Sequence, residues 1–180
     1  MNFETLGLAP ALLRALADAG YTMPTPIQTQ AIPLVLAGED VLGGAQTGTG
    51  KTAAFGLPLL AHVDPEARKV QALVLAPTRE LAMQGAEAID NFAAHSRNLN
   101  VVAVYGGSSY VPQLRALENG AQVVVGTPGR IMDLMERGAL RLVERESVTG
   151  ALAVEEVDQR DRFMHAHQRF LVPANLAERQ

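Results

Sequence analysis

The sequence of 180 residues contains no cysteine. A disulfide-stabilised fold, a thiolate metal site and a cysteine nucleophile are therefore excluded, and the composition fits a reducing compartment, so we expect a cytoplasmic protein. No apolar stretch reaches the roughly 20 residues of a membrane helix, and no basic region precedes an apolar one near Met1, so neither a span nor a signal peptide is predicted. An excess of positive charge is also lacking, because the formal net charge is −4. A nucleic-acid partner would need a local basic surface.

The composition changes near residue 143. Residues 143–180 hold one of the 16 glycines and 12 of the charged side chains, so their charge density is about double that of the rest. We therefore divide the chain into a domain of residues 1–142 and a divergent tail of residues 143–180.

Short apolar runs alternate with helix-length segments in the first region. Leucines at helical spacing predict a helix over residues 9–19 that ends at Gly20, and a second helix is predicted over residues 26–36. Continuous apolar runs predict strands buried on both faces, at residues 41–42, 72–76, 101–105 and 122–125. This alternation predicts an α/β domain with a mostly parallel sheet and helices on both faces.

The strongest motif is a glycine-rich loop between the first predicted strand and a predicted helix. Gly48 and Gly50 allow backbone N–H groups to surround phosphate oxygens, Lys51 can reach the β- and γ-phosphates, and Thr52 can place a hydroxyl on Mg²⁺. The helix that follows directs its positive end at the same anion. A glycine-rich turn that merely precedes a helix is the alternative. The loop consists of Ala45, Gln46, Thr47, Gly48, Thr49, Gly50, Lys51 and Thr52, where Ala45 replaces the usual leading glycine.

Four further clusters accompany this loop. The sequence PTPIQ ends at Gln28, and the other three follow predicted strands, where open α/β sheets bind ligands: PTRELA at residues 77–82, Gly106-Gly107, and TPGR at residues 127–130. This set, in this order, resembles the first RecA-like domain of the DEAD-box ATP-dependent RNA helicases. The resemblance runs from about Phe3 to about Leu142 and implies a RecA-like P-loop NTPase fold, incomplete at its C-terminus.

The resemblance implies an ATP and Mg²⁺ site. Gln28 would pair with the adenine edge and Phe3 would stack on the adenine ring, while Lys51 and Thr52 would serve catalysis, with Thr52 on the metal. The alternatives are that Phe3 packs in the core and that Gln28 is a helix-surface amide.

The resemblance also implies an RNA-binding surface, made of Thr78, Arg79, Gly107, Thr127, Gly129 and Arg130. Contacts to phosphates and sugars carry no base information, so we expect weak, sequence-independent and salt-sensitive binding without a preference for DNA. Alternatives are that Gly106 and Gly129 are plain turn glycines and that Arg130 bonds locally. Glu80 is expected to fix Arg79 or the start of a helix rather than to contact an anion. The oligomeric state stays open.

The acidic motif that names the family does not occur as Asp-Glu-Ala-Asp in this sequence. In one interpretation residues 148–154 form a strand, and Glu155 and Glu156 are a displaced version of the catalytic acids. In the other the motif is absent, through a deletion, a chimera or a shifted reading frame after Leu142. We therefore expect a nucleotide- and RNA-binding domain that is inactive alone. The alternatives are a divergent ATPase that uses Glu155 and Glu156, and a non-functional remnant.

Overall fold

A computed structural model describes residues 2–141 and the backbone of two short strands, residues 151–153 and 170–171. A 3-10 helix opens the chain at Phe3–Leu6. The helices that follow are α1 (Pro10–Asp18), α2 (Pro26–Leu36), α3 (Lys51–Ala61), α4 (Arg79–Phe92), α5 (Tyr110–Glu118) and α6 (Pro128–Glu136). The strands are β1 (Ala72–Leu75), β2 (Val101–Val104), β3 (Val123–Gly126), β4 (Ala151–Ala153) and β5 (Phe170–Leu171). Of the helices in this described part, none is long and apolar enough to cross a membrane.

The first two helices begin and end within one residue of the predicted bounds. Each begins with a proline at its first position, where no backbone N–H is needed. Each ends at a glycine in the left-handed conformation, Gly20 and Gly38, with φ of 77° and 82°. The N–H of the next residue then bonds back to the helix, as from Tyr21 to the Leu16 carbonyl at 2.9 Å. Glycine is favoured there because its missing Cβ removes the strain of a positive φ.

The five strands form one sheet in the order β2-β3-β1-β4-β5. The first four strands in this order are parallel, and β5 runs antiparallel to β4. Because parallel strands end at the same edge, the loops after β1, β2 and β3 lie side by side. The predicted α/β fold with a mostly parallel sheet is therefore confirmed, and three of the motif clusters converge at one edge.

Helices cover the sheet on both faces, which explains why the strand sequences are apolar throughout. Val74 and Val125 point to one side and pack with α1, α2, α3 and α4. Their neighbours Leu73 and Val124 point to the other side and pack with α5 and α6. Successive side chains of a strand alternate between faces, so a strand buried on both faces has no polar position.

The prediction of a strand at residues 41–42 is wrong. These residues have no strand conformation, and the side chain of Leu42 is 63% exposed. A strand needs a partner to accept and donate its ladder of hydrogen bonds, and none of the described strands pairs with this segment. The phosphate loop is therefore positioned from its other side, by α2 and α3.

Candidate functional site

The glycine-rich loop adopts backbone angles that only glycine reaches without strain. Gly48 has φ of 81°, and Gly50 has φ of 83° at the position that caps α3. A Cβ on Gly50 would also lie 2.3 Å from Nε2 of Gln28, closer than real atoms approach. Gly50 is thus required both by its conformation and by its neighbour.

Two side chains at the start of α2 hold this loop. The hydroxyl of Thr25 donates to the Thr49 carbonyl at 2.8 Å, and Nε2 of Gln28 donates to the Gly50 carbonyl at 3.1 Å. Oε1 of Gln28 accepts from the Thr25 N–H at 2.9 Å, and the Gln28 side chain is only 1% exposed. The helix-surface alternative for Gln28 is therefore ruled out. Its predicted pairing with adenine stays a prediction, in which the second Nε2 hydrogen would serve as donor.

The cationic end of Lys51 lies at the mouth of the loop. Its ammonium group donates to the Ala45 carbonyl, so it sits against the backbone that the sequence assigns to phosphate binding. Thr52, the next residue, is half-buried in the first turn of α3, and Gln46, Thr47 and Gly48 are exposed. Of the described residues, no group of three or more His, Asp or Glu side chains is placed to hold a metal ion. A magnesium site here would rest on the Thr52 hydroxyl together with phosphate oxygens.

Phe3 packs in the core. Its side chain is 5% exposed, and its ring meets the ring of Tyr21 edge to face, with centroids 6.2 Å apart. Tyr21 in turn meets Phe92 of α4 at 5.9 Å. The core-packing alternative therefore describes Phe3 in this structure, and stacking on adenine stays a prediction.

The loops after β1 and β2 bring two predicted RNA-binding residues together. Thr78 caps α4 by accepting a hydrogen bond from the Leu81 N–H at 3.3 Å. Arg79, the first residue of α4, is exposed, and a Cβ built on Gly107 would lie 3.9 Å from its Nη1. Gly107 itself has φ of 77°. A guanidinium and an exposed glycine backbone thus form one small surface at the edge of the sheet.

Glu80 fixes Arg79, which is one of the two roles expected from the sequence. Oε1 of Glu80 accepts a hydrogen bond from Nε of Arg79 at 2.5 Å. This bond, with the attraction between the charges, raises the pKa of Arg79 and lowers the pKa of Glu80. Both groups are exposed, so the pair aligns the guanidinium without adding much stability.

The loop after β3 places the rest of the TPGR motif beside this surface. The N–H of Thr127 donates to the Val104 carbonyl at 3.0 Å, which ties the loop to the end of β2. Gly129 is exposed, and a Cβ there would have no neighbour within 4 Å. Gly129 is the second residue of α6 and its backbone is open to a ligand, so its contact with RNA stays a prediction.

Arg130 departs from the expected exposed phosphate contact. It is 8% exposed, and its guanidinium donates to Oε1 of Gln113 at 3.0 Å and to the Ser108 carbonyl at 3.1 Å. It also lies 3.9 Å from the centre of the Tyr110 ring. A buried guanidinium needs acceptors for its donors, and here the protein supplies them. The local-bonding alternative is the one that the structure supports.

Gln113 and Tyr110 were not predicted from the sequence. Both lie on α5 with Leu114 and Leu117, at the spacing of one helix face. The apolar members of this face pack against the core, which forces Gln113 inward as well. A polar residue within an apolar helix stripe is the signal that could have found it.

Glu155 and Glu156 lie outside the described residues. Of the strand predicted at residues 148–154, the structure describes Ala151–Ala153 as β4, which pairs in parallel with β1, with Leu73 opposite Ala151. The catalytic role of the two glutamates stays a prediction.

Comparison with known proteins decides the family. The family model described as DEAD/DEAH box helicase matches residues 25–169. The chain belongs to this family. It is 57% identical over 158 residues to an ATP-dependent RNA helicase DeaD of Klebsiella pneumoniae, and 56% identical to that of Escherichia coli strain K12. Each match covers 88% of this chain and 24% of the relative, so the chain spans about a quarter of their length.

Solved structures of DEAD-box proteins share the fold. A DEAD box protein from Methanococcus jannaschii superposes with a TM-score of 0.78 at 41% identity, covering 86% of this chain and 41% of that one. Dbp5 of S. cerevisiae, bound to RNA and ADP BeF3, superposes with a TM-score of 0.74 at 34% identity, covering 86% and 38%. The RecA-like fold expected from the DEAD-box motifs is therefore confirmed.

Proposed function

We propose that this chain is an ATP- and RNA-binding domain of a DEAD-box RNA helicase. The observation that carries the proposal is the phosphate loop, with two glycines at positive φ, Lys51 at its mouth, and Thr25 and Gln28 bonded to its carbonyls. This arrangement holds the loop at the N-terminus of α3, where backbone N–H groups favour an anion.

The residues present fit ATP and Mg²⁺. The loop is open around Gly48, where a Cβ would have no neighbour within 4 Å, and its backbone N–H groups and the Lys51 ammonium are donors that phosphate oxygens accept from. Lys51 would hold the β- and γ-phosphates and Thr52 the metal, with Gln28 facing the adenine. When bound, Mg²⁺–ATP supplies the phosphoanhydride bond whose hydrolysis drives the family's reaction.

RNA would bind at the edge formed by the loops after β1, β2 and β3. Arg79 supplies the charge, Thr78 and Thr127 supply hydroxyls, and Gly107 and Gly129 allow close approach of a sugar-phosphate backbone. Because the Arg130 guanidinium is buried in the protein, Arg79 supplies the one exposed guanidinium among the proposed RNA-binding residues. We therefore propose weak, sequence-independent binding.

We further propose that these 180 residues bind without unwinding. Unwinding in the resembled family uses closure of two RecA-like domains around ATP, and the motifs of this chain belong to the first of them. A divergent ATPase that uses Glu155 and Glu156 is the second candidate. It is favoured by the parallel pairing of β4 with β1, which brings a strand to within two residues of Glu155.

An RNA titration tests the proposed RNA surface. The anisotropy of a labelled single-stranded uridylate of about ten nucleotides measures RNA binding, with Arg79→Ala as the variant and Arg97→Ala as the matched control. Arg97 is an exposed arginine at the opposite edge of the sheet, before β2. We expect Arg79→Ala to weaken binding and Arg97→Ala to leave it nearly unchanged. Equal effects of the two variants would refute the proposed RNA surface.

Phosphate release from ATP separates the two candidates. We expect none above background for the chain and none added by RNA. If RNA stimulates phosphate release and Glu156→Gln abolishes that stimulation, the divergent ATPase is the correct function and the inactive binding domain is wrong.

A further inference from the structure

The loop between β2 and α5 is bonded to two buried polar side chains. Gln113 of α5 is 6% exposed and Arg130 of α6 is 8% exposed, and Nη1 of Arg130 donates to Oε1 of Gln113 at 3.0 Å. Both side chains lie among apolar neighbours of the core, where polar groups without partners would be costly. The remaining N–H donors of the two side chains bond to the loop between β2 and α5.

These donors bracket the two glycines of the loop. Nε2 of Gln113 donates to the Tyr105 carbonyl at 3.2 Å and to the Ser108 hydroxyl at 2.7 Å. Nη2 of Arg130 donates to the Ser108 carbonyl at 3.1 Å. The carbonyls of Tyr105, the residue before Gly106, and of Ser108, the residue after Gly107, thus both accept hydrogen bonds. The peptide groups between them are held at both ends.

The arginine itself is held in place. Its guanidinium stacks at 3.9 Å from the centre of the Tyr110 ring, and the Tyr110 hydroxyl donates to the carboxylate of Asp133. Arg137 bonds the same carboxylate at 2.8 Å and lies over the same ring at 4.7 Å. These bonds to Gln113 and Ser108 use two of the five N–H groups of Arg130, and with only 8% of the residue exposed its guanidinium is directed at the loop rather than at solvent.

We propose that Gln113 and Arg130 are positioning residues for RNA binding, which fix the Gly106–Gly107 backbone beside Arg79. This inference rests on the proposed function. It assigns a role to Gln113, which lies outside the motifs that carry the family resemblance, and it replaces direct phosphate contact as the role of Arg130. Because the loop is already ordered before RNA binds, less conformational entropy is lost when RNA binds.

Gln71 provides a matched control. It is 5% exposed, and its amide makes three hydrogen bonds, as the amide of Gln113 does: to the Asp64 N–H, the Asp64 carbonyl and the Ala67 carbonyl. It lies just before β1, at the edge of the sheet away from the candidate RNA surface. Gln71→Ala should therefore lose a comparable amount of stability without touching that surface.

The test measures binding of the labelled uridylate to Gln113→Ala, Gln113→Met and Gln71→Ala at several salt concentrations. Gln113→Met keeps the volume of the side chain, so it decides the test if Gln113→Ala unfolds. Both Gln113 variants should bind RNA about five- to tenfold more weakly, the cost of one or two lost hydrogen bonds. Their salt slope should stay that of the parent, because a neutral side chain releases no counterion, whereas Arg79→Ala should lower the slope by about 0.7.

A second step tests whether the two residues act together. Adding Arg130→Met to Gln113→Met should weaken binding by less than Arg130→Met does in the parent, since the loop has already been released. Affinity for Mg²⁺–ADP should be the same in all these variants.

The outcomes separate the two claims. If Gln113→Met binds RNA no more weakly than Gln71→Ala while Arg79→Ala is impaired, the positioning role is wrong and the proposed function stands. If Arg130→Met lowers the salt slope by about 0.7 while Gln113→Met has no effect, Arg130 is a direct phosphate contact and the inference is overturned. If the parent chain binds no RNA, the proposed function fails, and this inference fails with it.

Discussion

The contact between Gly50 and Gln28 yields the sharpest prediction. In Gly50→Ala the new Cβ would lie 2.3 Å from Nε2 of Gln28, at a residue whose φ is 83°. The left-handed conformation costs a non-glycine residue about 1–2 kcal/mol. Displacing the Gln28 amide breaks its bond to the Gly50 carbonyl and leaves a buried polar group unpaired, which costs about 1–3 kcal/mol more. We expect a total loss of about 2–5 kcal/mol of unfolding free energy.

Gly48 isolates the first of these two costs, that of the left-handed backbone. Its φ is 81°, yet a Cβ there would have no neighbour within 4 Å. Gly48→Ala should therefore show the backbone cost alone, about 1–2 kcal/mol. In a background that carries Gln28→Ala, Gly50→Ala should cost only this smaller amount, because the colliding amide is gone.

Urea unfolding gives the free energy of unfolding of the parent, of the single variants Gly48→Ala, Gly50→Ala and Gln28→Ala, and of the double variant Gln28→Ala/Gly50→Ala. The midpoint should shift while the slope of the transition stays constant. If Gly50→Ala and Gly48→Ala are equally destabilising, or if Gln28→Ala does not reduce the cost of Gly50→Ala, then Gln28 does not hold the phosphate loop.

Two further predictions concern the frame around the candidate RNA surface. Gly126→Ala would place a Cβ 2.3 Å from the Val104 carbonyl of the neighbouring strand, so we expect a loss of about 3 kcal/mol or more in urea unfolding; Gly129→Ala, in open space, should stay within about 0.5 kcal/mol of the parent. The hydrogen bond from the Tyr110 hydroxyl, followed by that from a neighbouring arginine, lowers the pKa of Asp133. The ionised Asp133 therefore stabilises the fold above its unfolded pKa near 3.9, and this stabilisation is lost as the pH falls through the lower folded pKa. Asp133→Asn should therefore make the urea midpoint less dependent on pH between about pH 5 and about pH 2, and an unchanged acid dependence would contradict this.

Much of the frame could be predicted because it depends on local signals. Prolines and glycines mark both ends of α1 and α2, and the strands β1, β2 and β3 are continuous apolar runs because both of their faces are buried. Once a parallel sheet is inferred, the loops after its strands must meet at one edge. The strand ends placed the segments of Arg79 and Gly107 at this edge, the family resemblance assigned both residues to RNA, and the structure brings them together.

The parts that could not be predicted depend on partners distant in sequence. Residues 41–42 are apolar enough for a strand, but no described strand pairs with them. Arg130 is as suited to a phosphate as to a carbonyl, and only the packing of α5 against α6 decides between these roles. Gln28 was assigned to a ligand, although part of its bonding capacity goes to the backbone of the phosphate loop. In each case the residue type allows two structures, and tertiary packing selects one.

Thermal unfolding with and without Mg²⁺–ADP tests the nucleotide site most directly, with Lys51→Ala as the control. A ligand at about 100 times its Kd adds about 2.7 kcal/mol of stability, which raises the Tm of a domain of this size by several degrees. We predict this rise for the parent chain and its loss in Lys51→Ala, with both proteins unfolding cooperatively. A cooperative transition in the parent that Mg²⁺–ADP does not shift would contradict the nucleotide site, and with it the central claim.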